Sequence, residues 1–226
     1  LDSLVIHPFS KEFSRMTAGE YVHKMLIASL NVRHVIIGYD HRFGRNRNSN
    51  IVDLASYGMQ NNFTVEEISK QDIDDVAVSS TKIRQALLEG DIELANKYLG
   101  YQFMLTGRVV KGKALGRKLN YPTANLHIEE SYKLIPKNGV YVVQSKIDSK
   151  MYYGMMNIGT NPTVNGTSKT IETHFFDTEI NLYDKKIQIN LLKRIRDEKK
   201  FDSLEELQEA MQLDEDYSRD YINSLV

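Results

Sequence analysis

The pattern of apolar residues changes near Gly100, and this change constrains the fold more than any other feature of the chain. Before it, short strand-like runs alternate with stretches of helical periodicity, which favours a parallel sheet with crossover helices. After it, closely spaced runs of Val, Ile, Tyr, Phe and Thr are separated by Gly, Asn and Pro, which favours a small antiparallel barrel or sandwich. We therefore predict an α/β domain over residues 1–100 and a β domain with C-terminal helices over residues 101–226.

The same patterns place the individual helices and strands. In the first domain, the capping box Thr17-Ala-Gly-Glu20 starts a helix. The strands expected there are residues 4–6, 34–37 and 63–68. One helix is expected after residue 17, two are expected over residues 51–61 and 91–99, and another begins at residues 79–84. The second domain is predicted to have strands at residues 103–110, 139–147, 152–158, 171–176 and 187–194, then helices after residue 201 and over residues 215–225. Leu204, Leu207 and Met211 give the first of these helices an apolar stripe for packing on the barrel.

Composition excludes several classes of site and partner. The 226 residues include no cysteine, which excludes disulfides, thiolate catalysis and cysteine-based zinc sites. The formal net charge of −1 argues against a nucleic acid or an anionic membrane as partner, and no apolar run approaches the ~18 residues needed to span a bilayer. We therefore expect a cytoplasmic, monomeric protein that acts on small molecules. Because the chain starts without Met inside a strand-like run, we also expect residues upstream of Leu1.

A stretch rich in glycine and cations, residues 107–126, is the first candidate site. Glycine lets a backbone approach a ligand closely, and the neighbouring N–H groups and Lys or Arg side chains suit phosphate oxygens. Thr123 and Asn125 offer neutral oxygens of the kind that Mg²⁺ accepts beside phosphates. The stretch is either a nucleotide-phosphate and metal site or a glycine-rich hairpin with a solvated basic face, and its residues alone leave both open.

Part of this stretch imitates a phosphate-binding P-loop. The pattern Gly-x-x-x-x-Gly-Lys is present at residues 107–113, but Ala114 stands where the motif needs a Ser or Thr hydroxyl for magnesium. No helical pattern follows to supply a dipole at the phosphate. A P-loop NTPase is therefore excluded. Any metal oxygens would have to come from elsewhere, and Thr123 and Asn125 are the nearest candidates.

Two loops of the first domain lie where ligands bind in α/β sheets, beyond the carboxyl ends of strands. Residues 38–47 follow a strand and carry Arg42, Arg45 and Arg47, and Phe43 is predicted to offer its ring to a flat ligand. Residues 79–84, Ser-Ser-Thr-Lys-Ile-Arg, start a helix, where hydroxyls, free N–H groups and the positive dipole end attract anions. The alternative, which the serine-threonine run alone favours, is that Ser80 or Thr81 is an ordinary N-cap.

Glu172 is the candidate catalytic carboxylate. Transfer of a phosphoryl group to a hydroxyl needs a carboxylate that orients or deprotonates that hydroxyl. Alternation in the strand predicted at residues 171–176 puts Ile171, Thr173 and Phe175 on one face and Glu172 with His174 on the other. Taken alone, the strand pattern favours an ordinary outward-facing residue at Glu172.

These motifs together resemble those of the bifunctional bacterial riboflavin kinase/FAD synthetases. The most specific pair is Pro-Thr-Ala-Asn at residues 122–125 with Glu-Thr-His at residues 172–174. Further support comes from residues 38–44, 79–84, 107–121, 139–141, 157–163 and 196–201. The resemblance implies a nucleotidyltransferase-like FAD synthetase domain at residues 1–100, incomplete at its N-terminus, followed by a riboflavin kinase barrel.

For the barrel, the resemblance implies transfer of the ATP γ-phosphate to the ribityl 5′-hydroxyl of riboflavin, which gives FMN. Thr123 and Asn125 are then the magnesium ligands, Glu172 the base, and Arg196 a flavin contact. The residues assigned to ATP are Gly107, Gly112, Lys113, Gly116, Arg117 and Pro122.

For the first domain, the resemblance implies transfer of AMP from ATP to FMN, which gives FAD and pyrophosphate. The nucleotide-binding residues are then Gly38, Asp40, Phe43, Arg47, Ser79, Ser80, Thr81 and Arg84. The family's early Gly-x-Phe-Asp-Gly-x-His-x-Gly-His motif is absent, and Asn48-Ser-Asn50 lacks a usual glycine, so efficient adenylylation is not expected of this chain. The alternative is a flavin- or nucleotide-binding module in which this domain has no turnover.

Overall fold

The computed structural model describes residues 2–69, 72–73, 76–112, 116, 119–163, 166–178 and 180–225. The chain divides into two compact units, Leu1–Ala77 and Val78–Val226, which are described separately. Functional domains that meet at Gly100 stay a prediction. In the part of the chain described, no helix is long and apolar enough to cross a membrane.

The first unit is built around a parallel pair of strands, as predicted for an α/β lobe. Strands β1 (His34–Gly38) and β2 (Thr64–Ile68) pair in parallel, with Val35 opposite Val65. Helix α1 covers Lys11–Ser14, α2 covers Ala18–Tyr21 and continues as a π-helical segment over Val22–Ser29, and α3 covers Ile51–Asn61. A short antiparallel pair, β3 (Asp72–Ile73) and β4 (Val76–Ala77), ends the unit. Its core consists of Val22, Leu26, Phe43, Leu54 and Phe63.

The strand predicted at residues 4–6 is absent, and that prediction was wrong. Leu4, Val5 and Ile6 have no secondary structure and are 77%, 65% and 82% exposed. β-branched and apolar residues form a strand only where a partner strand supplies ladder hydrogen bonds and a face to pack on. Among the described residues, β1 and β2 pair only with each other.

The second unit is a closed antiparallel barrel preceded by two helices, α4 (Ser80–Glu89) and α5 (Ile92–Leu99). Its strands are β5 (Met104–Val110), β6 (Ala124–His127), β7 (Gly139–Ile147), β8 (Lys150–Thr163), β9 (Gly166–Phe175) and β10 (Lys186–Arg196). They close in the order β10-β5-β6-β9-β8-β7. The predicted barrel is therefore confirmed.

Two apolar clusters stabilise this unit on opposite sides of the barrel wall. The interior cluster includes Tyr141 and Met156, both 0% exposed, and it also takes in Leu87 and Ile92 from α4 and α5. The outer cluster lies between the barrel wall and the C-terminal helix (Leu204–Asn223). Its buried residues are Leu119, Tyr121, Val140, Met155 and Phe176, and Leu207, Met211 and Ile222 of the helix pack against them. Glu172 and His174, candidate residues of the barrel described below, lie on this outer side.

The sequence misplaced two elements of the second unit. Strand β6 was not among the predicted strands, because its four residues give no alternation long enough to detect, but pairing with both β5 and β9 holds it. The two expected terminal helices are one helix, since no Gly or Pro interrupts residues 204–223. Of its predicted stripe, Leu207 and Met211 pack against the barrel, whereas Leu204 is 56% exposed.

Candidate functional site

Strand β9 presents opposite chemistry on its two faces. Ile171, Thr173 and Phe175 point into the barrel and are 6%, 0% and 6% exposed. Glu172 and His174 are half-buried on the outer face. The alternation predicted from the sequence is therefore confirmed, and Glu172 is available to a ligand on the outer side of the barrel.

A polar row crosses three neighbouring strands at Glu172. Asn125 of β6 and Asn157 of β8 are the direct cross-strand partners of Glu172, and residues directly opposite in antiparallel strands share a face. The Thr123 hydroxyl donates to Glu172 Oε2 at 3.2 Å across 49 residues of sequence. The structure thus brings together the three side chains assigned to magnesium and base chemistry, while their roles stay predictions.

Asn157 is the member of this row that the candidate residues omitted. It lies in the motif Asn-Ile-Gly-Thr-Asn-Pro-Thr at residues 157–163, which supports the family resemblance but had no predicted role. The sequence shows that Asn157 lies in a predicted strand between Gly139 and Glu172. Only the register between β8 and β9 shows that it lies beside Glu172.

The glycine-rich stretch packs directly on these residues. A side chain at Gly112 would collide with the Asn125 amide, and one at Gly116 would collide with the Tyr121 carbonyl. The Gly116 carbonyl also accepts the Tyr121 N–H at 2.8 Å. Gly107 lies within β5, where the His127 backbone passes too close for a side chain. Glycine at this position therefore allows β5 to pair with β6. Lys113 and Arg117 lie outside the described residues.

The segment that leads to Thr123 is fixed by side chains from β9 and from the C-terminal helix. His174 Nδ1 lies 2.9 Å from the Pro122 carbonyl oxygen. The Tyr121 hydroxyl donates to Gln212 at 3.1 Å. Burial raises the pKa of Tyr121, and the nearby Glu215 carboxylate raises it further, so this hydroxyl stays protonated and remains a donor.

Arg196 is engaged by a carboxylate of the C-terminal helix. Its guanidinium donates to both oxygens of Asp214, at 2.8 and 2.7 Å, and lies 5.7 Å from the Phe201 ring centroid. Asp214 is 4% exposed, so the pair joins β10 to the helix in a shielded position. The predicted flavin contact by Arg196 stays a prediction.

In the first unit, the loop at residues 38–47 presents its cations but not its aromatic ring. Arg42, Arg45 and Arg47 are exposed, as are Gly38 and Asp40. Phe43 is 7% exposed and packs in the core beside Tyr21, with ring centroids 5.8 Å apart. Phe43 is buried because its backbone pairs with Ser49 and closes the loop inward, so the prediction that it offers a ring face to a ligand was wrong.

In the second unit, helix α4 begins with residues 79–84. The N-cap is Ser79, whose hydroxyl accepts the Lys82 N–H at 3.3 Å, so neither Ser80 nor Thr81 is the cap. The side chains of Ser80, Thr81 and Arg84 are exposed at the start of the helix. They are free of the capping role and remain candidates for anion binding.

Comparison with known proteins decides the family. The riboflavin kinase family model matches residues 99–222, and the FAD synthetase family model matches residues 1–82. A bifunctional riboflavin kinase/FMN adenylyltransferase of Buchnera aphidicola subsp. Schizaphis graminum is 40% identical over 227 residues, covering 99% of this chain and 72% of that protein. The chain belongs to the bifunctional riboflavin kinase/FMN adenylyltransferase family. A member from Escherichia coli (strain K12) is 35% identical, covering 98% of this chain and 70% of its own.

A solved structure has the same fold as this family member. A protein of Streptococcus pneumoniae described as a macrolide-efflux protein matches with a TM-score of 0.84 and 34% identity, over 93% of this chain and 67% of that one. That description applies to the S. pneumoniae protein. For this chain, the likeness shows that the two proteins share a fold.

The polar row of this riboflavin kinase region suits Mg²⁺ better than it suits a metal ion whose ligands are all protein side chains. Among the described residues, no three His, Cys, Asp or Glu side chains come together. Thr123, Asn125 and Glu172 instead offer a hydroxyl, an amide and a carboxylate, which are hard oxygen donors. Mg²⁺ usually takes one or two such protein ligands and completes its shell with water and substrate phosphates.

Proposed function

We propose that the barrel region phosphorylates riboflavin to FMN with ATP and Mg²⁺, through the polar row at Glu172. The observation that carries this proposal is the 3.2 Å hydrogen bond from Thr123 to Glu172, with Asn125 directly opposite Glu172 in the ladder. Side chains that hold a metal ion beside the phosphates, and a carboxylate that accepts the hydroxyl proton, are recurring parts of phosphoryl-transfer sites. We further propose that the protein acts as a monomer in the cytoplasm.

In the proposed mechanism each oxygen of the site has a separate task, and the hydrogen-bond direction supports this division. The Thr123 hydroxyl donates its hydrogen bond to Glu172 Oε2, so the lone pairs of the threonine oxygen are left for a cation. Glu172 Oε1 is then the oxygen that takes the proton of the ribityl 5′-hydroxyl. The hydroxyl oxygen forms a bond to the γ-phosphorus as the bond from that phosphorus to the β–γ bridging oxygen breaks, which leaves ADP. When bound, Mg²⁺ neutralises phosphate charge during this transfer.

The packing of Gly112 supports a role for the glycine-rich loop over ATP. Because the Gly112 backbone lies against the Asn125 amide, the loop reaches the proposed magnesium ligands. Lys113 and Arg117, which follow in the same stretch, remain proposed phosphate contacts.

The test is formation of FMN from riboflavin, ATP and Mg²⁺, resolved by chromatography. Glu172→Gln keeps the size of the side chain and removes the base, so we expect turnover to fall ~10²–10⁴-fold while ATP binding stays. Glu129→Gln, a matched change at an exposed residue after β6, should leave the rate unchanged. Absence of FMN from the unaltered chain would refute the proposed function, and a normal rate in Glu172→Gln would remove that residue from the mechanism.

A second candidate function belongs to the first unit. The FAD synthetase match at residues 1–82 and the exposed Arg42, Arg45 and Arg47 favour binding of a nucleotide phosphate there. Incubation with FMN and ATP separates the two forms of this proposal: FAD and pyrophosphate indicate adenylylation, whereas ATP binding that depends on Arg45 and Arg47 but yields no FAD indicates a binding module. If Arg45→Gln and Arg47→Gln leave the affinity of this unit for ATP unchanged, neither the adenylylation nor the binding-module proposal holds.

A further inference from the structure

The hydrogen bond between His174 and Pro122 has a defined direction. The Pro122 carbonyl oxygen can only accept, so the Nδ1 of His174, 2.9 Å away, carries the proton and donates. In the neutral ring this leaves Nε2 without a proton. The bond therefore selects one tautomer of His174.

The accepting carbonyl belongs to the peptide unit that leads into Thr123. Residues 121–123 form no strand or helix, and Pro122 has no N–H with which to join a ladder. Since the peptide unit is planar, fixing the direction of the Pro122 carbonyl also fixes the nitrogen and Cα of Thr123. His174 thereby sets the position from which the Thr123 hydroxyl reaches Glu172.

The donor itself is held rigidly. The His174 ring packs edge-on against Tyr121, with centroids 5.1 Å apart at 71°, and against Phe176, at 5.8 Å and 66°. His174 and Glu172 lie two residues apart on the same face of β9, so one strand receives two successive residues of the incoming segment: Glu172 binds Thr123, and His174 binds Pro122.

We propose that His174 is a positioning residue for the magnesium site, acting through the Pro122 carbonyl to hold Thr123 against Glu172. This inference rests on the proposed kinase function. His174 touches neither substrate nor metal in this role. It lowers the cost of organising Thr123 each time Mg²⁺ and ATP bind.

Two substitutions separate the hydrogen bond from the packing. His174→Phe keeps an aromatic ring between Tyr121 and Phe176 but removes the donor. His174→Asn places an amide N–H where Nδ1 stood but removes the ring. We expect His174→Phe to raise the Mg²⁺ concentration for half-maximal FMN formation about fivefold, the loss expected for one neutral hydrogen bond, and His174→Asn to stay within about twofold of the unaltered chain.

Thermal unfolding of the same variants gives the opposite ranking, because the ring contributes to packing. We expect His174→Phe to be the more stable variant and His174→Asn the less stable one. If magnesium dependence follows stability in both variants, or changes in neither, the inference is overturned.

A second readout needs no activity. A long-range ¹H–¹⁵N spectrum of the substrate-free full chain, recorded with the imidazole in its neutral form, reports which ring nitrogen carries the proton, and His174→Asn identifies the signal. The Nδ1–H form is expected, and the Nε2–H form would overturn the inference. Failure of the unaltered chain to make FMN refutes the kinase function instead, and the spectrum still tests the hydrogen bond.

Discussion

Thr173, the residue after Glu172, has its hydroxyl sealed inside the barrel. The side chain is 0% exposed, and its oxygen has no hydrogen-bond partner among the described residues. An unsatisfied buried hydroxyl costs roughly 1–3 kcal/mol. Threonine at this position is therefore a local weakness in the strand that carries Glu172, the proposed base.

Replacing Thr173 with valine keeps the shape and removes the unsatisfied group. We expect Thr173→Val to raise the free energy of unfolding by about 1 kcal/mol, measured by urea titration. Ser145 is the matched control, since its equally buried hydroxyl donates to the Gln188 carbonyl at 2.7 Å. Ser145→Ala should destabilise by about 1 kcal/mol, and a loss of stability in both variants would contradict the argument.

Gly112 is a residue where one methyl group should disturb the site. A Cβ there overlaps the Asn125 amide, so Gly112→Ala pushes that side chain or the loop aside. Because small misplacements at a reacting centre cost up to ~10²-fold, we expect the FMN formation rate to fall by roughly that factor with the fold intact by circular dichroism. Gly38→Ala, whose new methyl group meets only ordinary contact distances, should leave the rate unchanged.

The side chains of the candidate site differ in how far the sequence predicts them. Two-residue alternation was enough to place Glu172 and His174 on the outer face. The Thr123–Glu172 contact was not predictable from periodicity, because it depends on which strands pair and in which register, and β6 was too short to be seen. Asn157 was missed for the same reason.

At the scale of elements, the C-terminal helix is attached to the barrel by ion pairs as well as by its apolar face. Arg196 of β10 binds Asp214 with two hydrogen bonds. Arg219, one turn from the end of the helix, donates to both carboxylate oxygens of Asp177 at 2.9 Å and lies 4.7 Å from the Phe176 ring centroid. The helix is therefore anchored at the end of the strand that carries Glu172.

Asp214→Ala should loosen this helix. It leaves the Arg196 guanidinium, 29% exposed, without its carboxylate, and breaking a shielded pair typically costs ~3 kcal/mol. We expect that loss in urea titration, with partial recovery in Asp214→Ala combined with Arg196→Met. The exposed pair Lys185–Asp148, at 45% and 76% exposure, is the control: Lys185→Met should cost less than ~1 kcal/mol. Equal losses in both would show that shielding is not what makes the Asp214 pair strong.

Elements with strong local signals were predicted well, and those fixed by tertiary contacts were not. The helix at Ile51–Asn61 and the strand at Gly139–Ile147 have the predicted bounds, since caps, turns and periodicity agree there. The strand expected at residues 4–6 had local propensity but no partner strand in the part of the chain that the structure describes. The terminal helix was predicted as two, whereas Leu204–Asn223 form one helix in which Arg196 of β10 satisfies the Asp214 carboxylate.

At the scale of the whole molecule, helices α4 and α5 belong with the barrel. Leu87 and Ile92 lie in the barrel's own apolar cluster, Asn96 donates to the Leu191 carbonyl at 2.9 Å, and it accepts the Phe103 N–H at 2.6 Å. The compact unit accordingly starts at Val78, although the change in sequence pattern lies near Gly100.

Two fragments test where the kinase unit begins. We expect residues 78–226 to fold and to make FMN from riboflavin and ATP. Residues 101–226 lose the buried side chains of Leu87 and Ile92, each worth ~1.5–3 kcal/mol, so this fragment should melt at a clearly lower temperature or aggregate. Melting curves followed by circular dichroism distinguish the two, and equal stability would place the boundary at Gly100 after all.

The order of strands in the barrel has a consequence for synthesis of the chain. β10, the last strand of the barrel in chain order, closes the ring by pairing with β5 on one side and β7 on the other. Until residues 186–196 emerge, both of those strands keep a free edge, which is the feature that promotes pairing with other chains. At ~5–20 residues per second, this exposure lasts for seconds, and the nascent polypeptide is most open to aggregation or chaperone binding during that interval.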